Sequence, residues 1–110
     1  MKSADIIRNQ QDFDKLKKYG KSVGSRFVVL IYRKNNLDYT RRAFLASKKV
    51  GNAVTRNRAR RLMKEAFRQL ESYVPAGYDL LFIARSTIVD SKCADVKESI
   101  EAAISRSGIC

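Results

Sequence analysis

The stretch from about Thr55 to Tyr73 constrains the fold most, because its apolar residues recur at the spacing of an α-helix. A helix of this pattern carries an unbroken apolar stripe, which must be buried against the rest of the chain. Either Asn52 or Thr55 can cap its start, and Pro75 and Gly77 end it. The stripe consists of Leu62, Met63, Ala66, Phe67, Leu70 and Val74.

The same stretch lies in the most basic part of the chain. Of the net charge of +12, residues 41–68 hold +9, from ten Lys/Arg and one Glu. Residues 1–40 hold +5 and residues 69–110 hold −2. A basic helix face that is only solvated usually has acidic partners three or four residues away, and these are almost absent here. The charge therefore predicts a polyanionic partner: nucleic acid, or less often an anionic membrane surface.

A second side of the predicted helix offers hydrogen-bond donors to such a partner. Arginine binds phosphate with two parallel hydrogen bonds and keeps its charge, and the Asn57 amide both donates and accepts. Lys48, Lys49 and Gly51 precede the helix N-terminus, and this arrangement favours phosphate binding at the start of the helix. The donor stripe consists of Asn57, Arg61, Lys64 and Arg68, with Arg56 and Arg60 beside it.

The remaining patterns predict one α+β domain over residues 1–110, a sandwich of order αβββαβα with helices packed on a four-stranded sheet. Residues 22–34 form either one long strand or a short strand leading into a longer one, with a bend at Gly24. The apolar run 78–84 is typical of a central strand buried on both faces. The other elements are a helix at 10–19 with Gly20 as its C′ residue, a turn at 35–38, a strand at 41–47 and a helix at 90–107.

Four aromatic residues fall in the predicted first helix and strands: Phe13, Phe27, Tyr32 and Phe44. For each of them a core position is the favoured interpretation. One or two remain available to line a groove, where unpaired RNA bases stack on aromatic rings.

The sequence offers no residues for chemistry of its own. It has no His, which excludes nuclease sites built on histidine acid–base pairs, and its 11 acidic residues are scattered, unlike a two-metal site. Cys93 and Cys110 have no CxxC spacing, so neither a zinc site nor a disulfide framework is predicted. We predict no catalytic and no metal-binding residue. The lack of a long apolar run or signal-peptide pattern favours the cytoplasm.

Three segments resemble a known family. The segment 47–68, SKKVGNAVTRNRARRLMKEAFR, resembles the signature of the protein component of bacterial ribonuclease P, centred on Arg56, Asn57 and Arg58. The segment 12–32, DFDKLKKYGKSVGSRFVVLIY, resembles the first helix and strands of that family. The segment 75–85, PAGYDLLFIAR, resembles its later strand. The match runs in order across nearly the whole chain.

The resemblance implies a sandwich in which the strand–helix–strand crossover is left-handed, against the usual rule. It implies a catalytic RNA as partner, which with Mg²⁺ hydrolyses a phosphodiester bond of precursor tRNA and removes the 5′ leader. The protein would bind this RNA as a monomer in a 1:1 complex. It would contact the RNA through the basic helix and hold the single-stranded leader in a cleft between the first helix and the sheet.

The motif match also assigns residues. The leader cleft falls on Phe13, while two positions that are aromatic in the family's cleft are Lys17 and Ile31 here. Tyr32, or Phe27 if it faces the cleft, would compensate for these departures. The match assigns RNA contact to Lys48, Lys49, Asn52, Arg56, Asn57, Arg58, Arg60, Arg61, Lys64 and Arg68.

Two other classes of function share part of the pattern. A ribosomal or other structural RNA-binding protein would carry a similar charge and have no nuclease role. A helix-in-groove DNA binder needs base-reading side chains and usually a dimer with spaced half-sites, and the sequence indicates neither.

Overall fold

A computed structural model describes the fold of residues 6–109. Cys110 lies outside the described residues. The elements are α1 (Gln10–Tyr19), β1 (Lys21–Gly24), β2 (Val28–Lys34), β3 (Arg41–Leu45), α2 (Ala53–Arg68), β4 (Tyr78–Ala84) and α3 (Cys93–Ser107). Short 3₁₀ helices at Glu71–Tyr73 and Ser86–Asp90 flank β4. The predicted α+β class and element order are confirmed, and the stretch 22–34 forms two strands.

The four strands form one mixed sheet in the order β1-β2-β4-β3. β2 pairs antiparallel with both β1 and β4, whereas β3 pairs parallel with β4. α2 therefore lies in a crossover between two adjacent parallel strands. The left hand of this crossover, which the resemblance implies, stays a prediction. β4 is the inner strand whose Leu80, Leu81 and Phe82 are fully buried, which confirms its expected place.

Alternate residues of the strands divide the core between the two faces of the sheet. Leu30, Leu80 and Phe82 point to one face, where they pack with α2 and α3 in the larger apolar cluster. Leu81 points to the other face, where it packs with Leu16 of α1 in a smaller cluster. α1 thus covers part of the face opposite to α2, and the apolar residues beside it are only half-buried.

One ionic contact fixes α1 on its face of the sheet. The Arg41 guanidinium donates to Asp79 over 2.8 and 2.6 Å and to Asp12 of α1 over 3.1 Å. The hydrogen bonds to Asp79 raise the pKa of Arg41 above its ordinary value. A third donor, the Asn35 side-chain amide, reaches Asp79 over 3.0 Å. Because Asp79 is buried, its full set of partners offsets the cost of removing its charge from water.

The boundaries of three elements differ from the prediction. α2 begins at Ala53, after Asn52, which is one of the two predicted caps and whose side chain accepts from the Thr55 N–H. The helix ends at Arg68, five residues before the predicted end. It ends there because Leu70 donates its N–H to the Phe67 carbonyl in a tighter turn that still buries Leu70. The strand predicted at 41–47 ends at Leu45, and the helix predicted at 90–107 begins after a 3₁₀ turn.

Gly20 follows α1 as predicted, but for another physical reason than a left-handed cap. Its backbone is extended, with φ −73° and ψ 159°. A Cβ at this position would lie 2.4 Å from the Leu16 carbonyl oxygen and 2.9 Å from Ile31 Cγ2. A glycine is therefore required because the chain passes close to the helix end and to β2.

Gly20→Ala should lower the free energy of unfolding by about 2 kcal/mol, because backbone cannot yield to the added methyl group. Gly24→Ala is the matched control, since its Cβ would meet only a side-chain atom of Arg85 at 4.0 Å. Urea unfolding followed by circular dichroism measures both. Equal stability of the two variants would contradict the close approach at Gly20.

Candidate nucleic-acid interface

The rotation of α2 about its axis is fixed by one buried stripe. Ala59, Met63, Ala66 and Phe67 are buried, at i, i+4, i+7 and i+8. The Phe67 ring lies 5.2 Å from that of Phe82 between centroids. Met63, Ala66 and Phe67 belong to the predicted apolar stripe, whereas Leu62, also predicted in it, is only half-buried. Ala59 was missed in the prediction, but its spacing from Met63 indicates the same stripe.

This rotation exposes the donor stripe that the spacing predicts. Asn57, Arg61, Lys64 and Arg68 are all exposed. Within residues 6–109, the side chains of Arg61 and Lys64 form no hydrogen bond and no ion pair. The two cations therefore stay uncompensated by the protein and are free to bind a polyanion.

Arg68 differs from Arg61 and Lys64 because its side chain has a partner on the same helix. It donates to both carboxylate oxygens of Glu65, over 3.0 and 2.7 Å. These hydrogen bonds lower the pKa of Glu65. The pair is exposed, and such pairs contribute little to stability, so a phosphate can compete with Glu65 for the guanidinium.

Arg56 and Arg60 lie beside the stripe, on the flank of α2 that also carries Phe67. Arg60 donates to the side-chain oxygen of Asn57, which orients both groups. Arg56 is half-buried, and among the described residues its buried Nε has no hydrogen-bond partner. A buried donor without a partner is costly.

Arg58 points away from this surface. Its guanidinium donates to the carbonyl oxygens of Val89 over 2.9 Å and Ser91 over 2.7 Å, in the segment between β4 and α3. The resemblance assigns Arg58 to RNA contact together with Arg56 and Asn57, whereas the structure engages it inside the protein. The helical period could have indicated this, since Arg58 lies on the opposite flank of the buried stripe from Arg60.

The turn before α2 places the two predicted lysines in solvent. Lys48 and Lys49 are exposed, and Val50 is buried beneath them. Gly51 has φ +151°, a conformation that other residues rarely adopt, and a Cβ there would lie 3.0 Å from the Thr55 side chain. Asn52 uses its side-chain oxygen to cap the helix, over 3.0 Å to the Thr55 N–H. This turn thus places the lysines next to the first turn of α2.

The predicted leader cleft is only partly assembled. Phe13 and Ile31 are half-buried and pack against the smaller cluster, together with Leu45 and Ile83, for which no sequence pattern predicts this place. Lys17 is exposed, one helical turn after Phe13. These residues form an apolar surface with a cationic edge beside α1.

Phe27 and Tyr32 do not belong to this cleft, and the expected compensation by them is therefore wrong. Both pack against the larger cluster on the opposite face of the sheet. Tyr32 follows Ile31 directly, so strand alternation turns its ring away, and its hydroxyl donates to the Ser107 carbonyl over 3.1 Å. Phe44 is also a core residue, stacked on Phe82 at 5.6 Å between ring centroids.

Two further features of residues 6–109 bear on other kinds of site. No three side chains of the types His, Cys, Asp or Glu gather in that range so that they could hold a metal ion. No helix in the same range has the length and apolar character needed to cross a membrane.

Comparison with known proteins decides the family. The family model described as Ribonuclease P matches residues 1–108. The chain belongs to the ribonuclease P protein family. The ribonuclease P protein component of Pelotomaculum thermopropionicum is 41% identical over 109 residues, which cover 99% of this chain and 97% of that protein.

Solved ribonuclease P proteins share the fold. The structure from Staphylococcus aureus matches with a TM-score of 0.86 at 31% identity, over 97% of this chain and 98% of that one. The structure from Thermotoga maritima matches with a TM-score of 0.82 at 30% identity, over 91% of this chain and 94% of that one. The chain is a protein subunit of ribonuclease P, an endoribonuclease of tRNA processing that also has an RNA subunit.

Arg58→Ala should lower the free energy of unfolding by about 2 kcal/mol, because two carbonyl oxygens lose a charged donor. Arg61→Ala removes the same side chain three residues later from an exposed position, and should change stability by less than about 0.5 kcal/mol. Urea unfolding of the two variants checks this. A similar small change in both would show that Arg58 contributes little to the fold.

Proposed function

We propose that this protein binds the catalytic RNA of ribonuclease P through one surface, the α2 stripe. The α2 stripe consists of Lys48, Lys49, Arg56, Asn57, Arg60, Arg61, Lys64 and Arg68. The observation that carries the proposal is the exposure of Arg61 and Lys64 without any partner among the described residues. Phosphate oxygens match these donors in charge and geometry, whereas a folded protein gains no stability from leaving cations together.

The second part of the proposal concerns precursor tRNA. Its single-stranded 5′ leader lies in the cleft beside α1, against Phe13 and Ile31, with Lys17 on a phosphate. Only Phe13 offers an aromatic ring to a base there, since Ile31 can give apolar contact but no stacking. The cleft therefore holds the leader with weak dependence on its base sequence.

The chemistry belongs to the RNA subunit in this proposal. The protein has no His, and its described carboxylates form no group that fits a metal ion. Mg²⁺ is therefore proposed to be held by RNA phosphates, and no step is assigned to a metal on the protein. The protein binds as a monomer to one RNA and acts in the cytoplasm, where a free thiol such as Cys93 stays reduced.

The experiment that tests this function mixes the purified chain with a bacterial ribonuclease P RNA and end-labelled precursor tRNA at low Mg²⁺. Release of the leader should require both components, and the protein alone should leave the precursor intact. Cleavage by the protein alone would contradict the assignment of catalysis to the RNA. Equal cleavage with and without the protein would contradict its role in leader removal.

Arg61→Gln with Lys64→Gln should weaken binding of the ribonuclease P RNA and make its salt dependence less steep. The plot of log K against log salt has a negative slope, and its magnitude should decrease by about 1.5 because two phosphate contacts are lost. Lys92→Gln with Lys97→Gln is the matched control, with the same loss of charge beside and on α3. Filter binding at several salt concentrations measures both pairs. An equal loss of slope in both would show that only net charge matters.

Phe13→Ala should weaken binding of precursor tRNA to the holoenzyme more than binding of mature tRNA, because only the precursor reaches the cleft. The ratio of the two affinities should fall about tenfold, as for the loss of one stacked base. Tyr73→Ala, an exposed aromatic residue outside the cleft, should leave the ratio unchanged. An unchanged ratio in Phe13→Ala would remove Phe13 from the leader site.

A further inference from the structure

A second cationic surface lies at the end of the sheet where β2 ends and where β1 and β4 begin. We call it the Tyr19 surface, and its members are Lys18, Tyr19, Lys21, Arg33 and Lys34. Two adjoining cavities, of about 350 and 260 Å³, are both lined by Tyr19, Arg33 and Lys34. The larger one extends to Lys21 and to the backbone of Gly108. Neither the α2 stripe nor the leader cleft uses these residues.

The cations of this surface are not neutralised within the described part of the protein. Lys18, Lys21, Arg33 and Lys34 are exposed and form no hydrogen bond or ion pair with a carboxylate there. The only two carboxylates that line the cavities are those of Asp12 and Asp79. Both are bound to Arg41, so they offer little compensation to the four cations. An anion is the ligand that this charge favours.

An exposed aromatic ring stands among these cations. Tyr19 is 59% exposed, although burial of a tyrosine ring would stabilise the fold. Lys18 Nζ and Arg33 Cζ each lie 5.3 Å from the centre of the ring, within the range of cation–π attraction. The ring and the planar Arg33 guanidinium together offer the kind of platform on which unpaired bases stack.

The Tyr19 surface is separate from the leader cleft because α1 lies between them. Leu16 is the buried residue of α1. Phe13 and Lys17 fall on one flank of Leu16 and face the cleft, whereas Asp12 and Tyr19 fall on the other flank. Asp12 is bound to Arg41 on that second flank, which confirms that the Asp12 side chain points away from the cleft.

The surface is also remote from the basic first half of α2. α2 begins after the far end of β3, and Arg58 near its start is bound to the segment that follows the far end of β4. Lys34 pairs with Tyr78 at the opposite end of β4. A strand of this length spans about 20 Å, so the two places are about one strand length apart.

We propose that the Tyr19 surface is a second binding site for single-stranded RNA. A base stacks on Tyr19 and Arg33, and the flanking phosphates bind Lys21 and Lys34. The concave shape favours a flexible strand over a bilayer, whose flat surface does not enter two cavities. This site goes beyond the proposed function and does not depend on the α2 stripe or on ribonuclease P RNA.

The test is a titration of the ¹⁵N-labelled full chain with an eight-residue oligouridylate, followed by NMR. The amide signals of Lys21, Lys34 and Gly108 should shift and give a dissociation constant for this site alone. Tyr19→Ala with Arg33→Gln should raise that constant about tenfold or more, as expected for the loss of a stacked base. Tyr19→Phe should leave it within twofold, because stacking needs the ring and not the hydroxyl group.

Tyr73→Ala with Lys97→Gln is the matched control, since it removes an exposed tyrosine and one positive charge elsewhere. It should leave the constant unchanged. The proposal is overturned if shifts are confined to α2 and the cleft, or if Tyr19→Phe weakens binding as much as the double variant. It is also overturned if the double variant loses binding to phosphatidylserine vesicles and keeps its affinity for oligouridylate.

These signals report only this site, so failure here is distinguishable from failure of the proposed function. Arg61→Gln with Lys64→Gln should keep the shifts of Lys21, Lys34 and Gly108 while it weakens binding of the ribonuclease P RNA. Loss of these shifts in that variant would show that the oligonucleotide reaches the Tyr19 surface only from the α2 stripe, against the proposal.

Discussion

Burial of one stripe of α2 determines where every basic side chain of that helix points. Met63 and Phe67 are fully or almost fully buried against the sheet and α3, and burial of each side chain stabilises the fold by about 2 kcal/mol. Repulsion between exposed like charges one turn apart costs only about 0.2–0.5 kcal/mol per pair. Burial therefore wins, and the chain can hold Arg61 and Lys64 together in solvent without unfolding.

The alternation of side chains along β2 decides the composition of the cleft in the same way. Ile31 faces α1, and Tyr32 faces the larger cluster, so the position next to Phe13 is aliphatic in this protein. The leader cleft lies on one flank of α1 and the Tyr19 surface on the other. Arg41 helps to hold α1 between them, because it donates to Asp12 of α1 and to Asp79 of the sheet. A change that broke this contact would therefore alter both the leader cleft and the Tyr19 surface.

Periodicity and local chemistry predicted most of the fold. The apolar run 78–84 predicted the inner strand, and the spacing from Leu62 to Leu70 predicted a two-faced α2. Periodicity did not predict the early end of α2, because Leu70 stays buried whether the chain continues as a helix or tightens into a 3₁₀ turn. The reason for Gly20 was also out of reach, since it depends on the approach of Ile31 from another element.

The candidate site was predictable in part. The exposed positions of Asn57, Arg61 and Lys64 follow from helical spacing alone. The partners of Arg58 do not, because Val89 and Ser91 lie more than 30 residues later and offer backbone carbonyls that no sequence pattern marks. Strand alternation places the Tyr32 ring on the face of the sheet opposite to α1, given that Ile31 lies beside α1.

We propose that one side of α2, with the turn before it, binds the RNA, while the outer face of α3 stays free of RNA. Lysine acetylation followed by mass spectrometry, in the complex with ribonuclease P RNA, distinguishes the two surfaces. Lys48, Lys49 and Lys64 should become several-fold less reactive when the RNA is bound, and Lys92 and Lys97 should react as in the free protein. Equal protection of both groups, or protection of Lys92 and Lys97 alone, would rule out this mode of binding.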